Sequence, residues 1–210
     1  MHLTRAPVDP PLVTLVLANG ITLILAVLQH WELGTVLLVY WCQSVTIGLF
    51  TFIRILGPST RIEGREDGAP VRRFFLAAFF AFHFGLFHAV YLVFILSFAL
   101  FGFYGITDPA GILFGAGVFF VTHLCSYLWF RTRETRSPDE LFIEPYPRIV
   151  PMHLTIILGG IATALFPGPE SYAQDAMVVV FLLLKTAADL WAHRRQHAQT
   201  PDRVTDDGGR

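Results

Sequence analysis

Residues 74–101 read FFLAAFFAFHFGLFHAVYLVFILSFALF, a run of 28 residues without Asp, Glu, Lys or Arg. A helix needs about 20 mostly apolar residues to cross the hydrocarbon core of a bilayer. Backbone amides cannot stay unpaired in hydrocarbon, so a run of this length is predicted to be an α-helix that tilts or bends within the membrane. The stretch therefore indicates an integral membrane protein.

The composition of the whole chain agrees with this prediction. Of its 210 residues, 54% are hydrophobic and 15% are charged, whereas a soluble domain has roughly 25% charged residues. The net charge of −1 gives no reason to expect a nucleic-acid partner. Cys42 and Cys125 both lie in apolar runs, so neither a disulfide framework nor a cysteine metal site is expected.

Five further segments are long and apolar enough to cross a membrane. We predict an all-α fold, a bundle of six transmembrane helices within one domain over residues 1–199, with a disordered cytoplasmic tail over residues 200–210. The lipid bilayer is the expected partner, and the sequence leaves the oligomeric state open. The predicted spans are residues 12–28, 33–55, 74–101, 110–130, 150–165 and 172–192.

Arginine falls on one side only of this arrangement. The first, third and fifth loops contain neither Arg nor Lys. Cationic loops stay in the cytoplasm, so both termini are predicted to be cytoplasmic. The arginines on that side come from the N-terminus, the end of the second span, the second and fourth loops and the C-terminal tail. They are Arg5, Arg54, Arg61, Arg65, Arg72, Arg73, Arg131, Arg133, Arg136, Arg148, Arg194, Arg195, Arg203 and Arg210.

One loop contains the start signal of a short helix. Ser137, Pro138 and Glu140 have the spacing of an N-cap, a proline at the first helical position and a capping-box glutamate. This pattern predicts a short interfacial helix as far as Ile143.

Ionisable side chains within the spans are the candidate functional residues, because such groups are costly in the bilayer and usually face the bundle interior. Most of them fall in the cytoplasmic half. The set comprises His83, His88, His123, His153, Lys185, Asp189 and His193, with Tyr40 and Gln43 as further polar groups nearer the middle of the second span.

A metal site is the leading hypothesis for these residues. Asp189 and His193 are four residues apart and so share a helix face, and His83 and His153 would add imidazoles at adjacent depths. Such ligands suit a divalent ion such as Zn or Fe, which would acidify a bound water. A membrane metallo-hydrolase would follow from this arrangement.

Three alternatives stay open. His83 and His123, at similar depths, could hold a haem b in an electron-transfer subunit. The His, Lys and Asp side chains could instead form the path of a small transporter, or serve only as hydrogen-bonding and ion-pairing groups in a structural protein. Serine hydrolysis is disfavoured, since the chain has no Gly-x-Ser-Gly motif.

Four motifs together resemble a family of prokaryotic six-helix membrane proteins classed as a domain of unknown function. The resemblance implies the same architecture in a prokaryotic plasma membrane and assigns no reaction. In the family pattern, Glu-Asn stands where this chain has Gln43 and Ser44. The motifs are YWCQS at 40–44, HFG at 83–85 with His88, PRIVPMHLTIILG at 147–159, and LKTAAD at 184–189.

The arginine asymmetry gives a direct test of topology. A reporter fused after Arg195 is expected to be active only in the cytoplasm, and one inserted near Asp108 only outside, because cationic loops are retained inside. Paired enzymatic reporters that work on opposite sides of the membrane measure this. A cytoplasmic signal at Asp108 would overturn the predicted orientation.

Overall fold

The computed structural model describes residues 17–57, 70–131, 136–165 and 176–188, except residues 18, 23, 27 and 177. The described residues contain helices and no strand, which confirms the all-α prediction for this part of the chain. Helix α1 lies within residues 17–28, followed by α2 (Leu33–Leu56), α3 (Pro70–Leu100), α4 (Pro109–Phe130), α5 (Pro138–Ile143), α6 (Ile149–Leu165) and α7 (Val178–Ala188). A short 3₁₀ helix, Tyr146–Arg148, joins α5 to α6.

Three of these helices are long and apolar enough to cross a membrane. They are α2, α3 and the greater part of α4. Helix α6 and the described part of α7 supply shorter apolar segments. The count of six spans and the side of each terminus therefore stay predictions. Large apolar side chains such as Phe75, Phe82 and Leu113 lie exposed on α3 and α4. A membrane environment explains this exposure, because lipid tails are as apolar as the side chains.

Helix α2 lies at the centre of the described bundle. It packs against both α3 and α4, and also contacts α5 and α6. More than half of its most apolar window is buried, compared with about a quarter for α3 and a sixth for α4. Its core residues include Leu33, Leu37 and Ile55, each fully buried. Helix α2 is therefore the element that positions the others.

Two polar clusters mark the opposite ends of the bundle. At the start of α2, Trp31 Nε1 donates to Asp108 Oδ2 at 3.0 Å, and the Gly105 amide donates to Glu32. At the end of α2, Arg54 pairs with Glu144 at 3.1 Å. In the described part of the chain, Arg54 thus lies at one end of the bundle, and the arginine-free connections at 29–32 and 101–108 lie at the other.

Local capping signals set the ends of two helices. Ser137 accepts from the Glu140 amide at 3.3 Å, and the Glu140 carboxylate accepts from the Ser137 amide at 2.7 Å. This capping box, with Pro138 next to it, confirms the predicted short helix α5. Asp108 caps α4 in the same manner by accepting from the Gly111 amide at 2.8 Å.

The close contact between α2 and α3 depends on Gly48. A Cβ atom at this position would overlap the ring of Phe84. Phe84 is itself buried and stacks on His88 with ring centroids 4.1 Å apart. Glycine at position 48 therefore lets α3 approach α2 closely enough for side chains near His88 to meet α2.

We expect Gly48→Ala to lower the free energy of unfolding by about 1–3 kcal/mol, because the new methyl group forces the Phe84 ring out of its place. Gly117→Ala is the matched control, since a Cβ at this helical position meets open space. Thermal and chemical unfolding in detergent measure both variants. Equal stability of the two variants would show that the α2–α3 approach does not depend on Gly48.

Candidate functional site

A small cavity of about 20 Å³ lies between α2, α6 and α7. This volume is enough for one water molecule or one oxygen-bearing group of similar size. Its polar lining comes from Tyr40, Gln43 and Ser44 on α2 and from Lys185 on α7, and its apolar lining is Ile47, Pro151, Met152, Phe181 and Ala188. Three residues predicted from the sequence as intramembrane polar groups thus share one cavity.

Lys185 is the single lysine of the chain and is only 9% exposed. Its ammonium group donates to Asn19 Oδ1 at 3.0 Å and lies 4.4 Å from the ring centroid of Tyr40. A charge at the centre of a transmembrane helix costs about 2.5–3.5 kcal/mol on insertion scales. The amide oxygen and the aromatic face offset part of this cost. Asp189, the partner predicted for Lys185, lies outside the described residues.

Gln43 is 2% exposed, and its Nε2 atom has no hydrogen-bond partner among the described residues. A buried amide donor without a partner costs roughly 1–3 kcal/mol. Gln43 and Lys185 line the same cavity, and both side chains carry hydrogen-bond donors. The cavity is therefore suited to a group that accepts hydrogen bonds.

Ser44 connects the cavity to α3. Its Oγ lies 2.7 Å from His88 Nε2, and His88 Nδ1 lies 2.8 Å from the Phe84 carbonyl oxygen. The carbonyl can only accept, so Nδ1 carries the proton and Nε2 accepts from the Ser44 hydroxyl. His88 is 3% exposed and is thus a neutral, fully hydrogen-bonded imidazole.

His83 and His153 each bond to a tyrosine. His83 Nδ1 lies 2.7 Å from the Tyr146 hydroxyl, and the exposed His153 lies with Nδ1 3.2 Å from the Tyr91 hydroxyl. Burial raises the pKa of Tyr146, so its phenol stays protonated near neutral pH and is able to donate to His83. These two histidines, both predicted metal ligands, are therefore held at separate tyrosines.

The four-residue metal site stays a prediction. Asp189 and His193 lie outside the described residues, and within the described ranges no group of three His, Cys, Asp or Glu side chains is placed to hold a metal ion. The described chain supports neither the histidine cluster nor metal binding. The choice of Zn or Fe is equally untested.

The haem hypothesis also stays a prediction. His83 is on α3 and His123 lies half-buried on α4. Among the described helices, α3 and α4 each pack mainly against α2 and have little contact with each other.

The sequence analysis missed the pairing of Ser44 with His88. These residues are 44 positions apart, and no spacing rule joins them. The available signal was that both lie at apolar helix positions, where an unpartnered polar side chain is costly.

The chain belongs to a family of unknown function, DUF6498, whose family model matches residues 1–206. This confirms the resemblance to a domain of unknown function. No curated protein and no solved structure matches the chain.

We expect Gln43→Met to raise the stability of the ligand-free protein by about 1 kcal/mol, since it removes a buried donor without a partner among the described residues. Thr155→Val is the contrasting control. Thr155 is fully buried, and its hydroxyl donates to the Pro151 carbonyl at 2.8 Å, so its loss should lower stability by about 0.5–1.5 kcal/mol. Unfolding in detergent measures both changes. A loss of stability in Gln43→Met would contradict the assignment of Gln43 Nε2 as a buried donor without a partner among the described residues.

Proposed function

We propose that this member of the family of unknown function is a six-span membrane protein that binds the carboxyl or acyl carbonyl end of a membrane lipid in the cavity beside Lys185. The observation that carries the proposal is the buried Gln43 Nε2, which has no partner among the described residues and belongs to a residue that lines the same cavity as Lys185. An ammonium group and an amide N–H together select an oxygen acceptor, and most strongly an anionic one.

The size of the cavity narrows the class of ligand. The cavity, about 20 Å³, admits one oxygen-bearing group such as a carboxyl or carbonyl oxygen. The apolar lining of Pro151, Met152 and Phe181 suits the carbon atoms next to a carboxyl or carbonyl group. Fatty acids and acyl esters combine these properties and are abundant in the bilayer.

The electrostatics support an oxygen ligand of negative charge. Lys185 lies among buried Tyr40, Phe119 and Phe181, where the low dielectric strengthens a charge interaction. A carboxylate in the cavity would accept from Lys185 and Gln43 together. It would also remove the cost of the unpaired Gln43 donor.

The distribution of arginine supports the proposed topology. Arg72 pairs with Asp139 at 2.8 Å and Arg54 with Glu144 at 3.1 Å, at the end of the bundle opposite Trp31 and Asp108. We place this end, with both termini, in the cytoplasm on the positive-inside rule. The location in a prokaryotic plasma membrane rests on the resemblance of the four motifs.

A thermal-shift series tests the proposed ligand class. The purified full chain in an uncharged detergent is heated with dodecanoate, dodecanol or dodecyl phosphate. Dodecanoate at about 100 times its Kd should stabilise the protein by about 2.7 kcal/mol. Dodecanol should give less stabilisation because it has no charge, and dodecyl phosphate compares a second anionic headgroup.

Lys185→Met should remove the advantage of dodecanoate over dodecanol. Arg72→Met is the matched control, because it deletes the same charge at a half-exposed site away from the cavity. Equal stabilisation by acid and alcohol in the natural chain would contradict the proposal. So would a dodecanoate advantage that persists in Lys185→Met.

A further inference from the structure

The Ser44–His88 pair has the geometry of an activated nucleophile. A serine hydroxyl attacks a carbonyl when a neighbouring base within about 2.6–3.2 Å takes its proton. The Oγ–Nε2 distance of 2.7 Å lies in this range. The two side chains come from different helices, α2 and α3, so the pair exists only in the folded bundle.

A third group holds the base in the required form. The Phe84 carbonyl accepts from His88 Nδ1 at 2.8 Å, which leaves Nε2 as the acceptor that faces Ser44. The ring also stacks on Phe84 with centroids 4.1 Å apart, and the His88 backbone carbonyl accepts from Trp41 Nε1 at 2.8 Å. Nucleophile, base and orienting group thus satisfy the geometric signature of a catalytic dyad.

The cavity next to Ser44 is the proposed place for the carbonyl group of the ester. Ser44, Gln43 and Lys185 all line it. A tetrahedral intermediate requires hydrogen-bond donors aimed at its oxyanion. Gln43 Nε2 is such a donor, already buried and without a partner in the described part of the chain.

We infer that Ser44 and His88 catalyse acyl transfer from a lipid acyl ester to water, an activity that rests on the proposed function and uses the same cavity. Ser44 Oγ attacks the ester carbonyl while His88 Nε2 takes its proton. The carbonyl electrons move onto the oxygen, which Gln43 and Lys185 stabilise. The oxyanion then collapses, the ester C–O bond breaks, and the leaving alcohol receives the proton from His88.

Hydrolysis of the acyl-serine completes the cycle. A water molecule attacks the acyl carbon, gives a proton to His88 Nε2, and releases the fatty acid as Ser44 Oγ regains that proton. Electrons and atoms balance with water as the only co-reactant. The carboxylate product is the ligand class that the cavity is proposed to bind.

The test uses a serine-reactive alkyl fluorophosphonate and long-chain p-nitrophenyl esters with the purified full chain. Mass spectrometry should find the phosphonate on Ser44, and ester hydrolysis should be measurable. Ser44→Ala should abolish both signals. His88→Gln retains a polar side chain opposite Ser44 but lacks the base, so labelling and hydrolysis should fall roughly 10²–10⁴-fold.

Ser97→Ala is the matched control, since Ser97 lies half-buried on α3 and does not line the cavity. It should label and hydrolyse as the natural chain does. Melting temperatures of all variants exclude loss of fold, and Ser44→Cys, which keeps a nucleophile next to His88, should be alkylated by iodoacetamide faster than Ser97→Cys.

The outcomes separate this inference from the proposed function. Dodecanoate binding without phosphonate on Ser44, and without ester hydrolysis, would leave the binding site intact and make Ser44–His88 a packing contact only. If dodecanoate stabilises the natural chain no more than dodecanol does, and the phosphonate still labels Ser44, the proposed carboxyl site is contradicted and the Ser44–His88 dyad is retained. Labelling that persists in Ser44→Ala would overturn the assignment of the nucleophile.

Discussion

A polar side chain placed in hydrocarbon must find its partner within the protein, because no water is there to replace it. This constraint acts most strongly on α2, the most buried of the long helices. Thr46 meets it within the helix by donating to the Cys42 carbonyl at 2.9 Å. Trp41 and Ser44 meet it only by bonding to His88 of α3. The hydrogen-bonding needs of α2 therefore determine how α3 is placed against it.

The contact at Gly48 makes these bonds possible. Since glycine lacks a side chain, the Phe84 ring lies directly on the α2 backbone, and His88 follows one turn later on the same helix. Shape and polarity thus act together: the apolar packing brings the helices close, and His88 then bonds to two α2 side chains, to Ser44 through its imidazole and to Trp41 through its backbone carbonyl. Gln43, which lines the cavity, is the exception, because its Nε2 has no acceptor among the described residues.

The charge interactions at the ends of the bundle differ from those in its middle. Arg72 and Asp139 are about half exposed, so their ion pair contributes little to stability. Glu144 is more buried and accepts from both Arg54 and Arg136, at 3.1 and 3.0 Å. These contacts attach α5 to the cationic end of the bundle. The interior cation Lys185 instead lies against the Tyr40 ring and donates to the Asn19 amide oxygen, where the low dielectric strengthens its interaction with a charged ligand.

The sequence by itself determined the helical class and much of the local structure. Long apolar runs require helices in a membrane, and Ser137 with Glu140 starts α5 through contacts three residues apart. The site was decided by the tertiary structure. His83 and His153 were expected at one metal, yet the fold gives each a tyrosine, while Ser44 and His88 meet across 44 positions. Hydrophobicity and capping are properties of neighbouring residues, so both can be read directly from the sequence. Which face of a helix turns toward which neighbour depends on how all the helices pack together, and no local pattern encodes it.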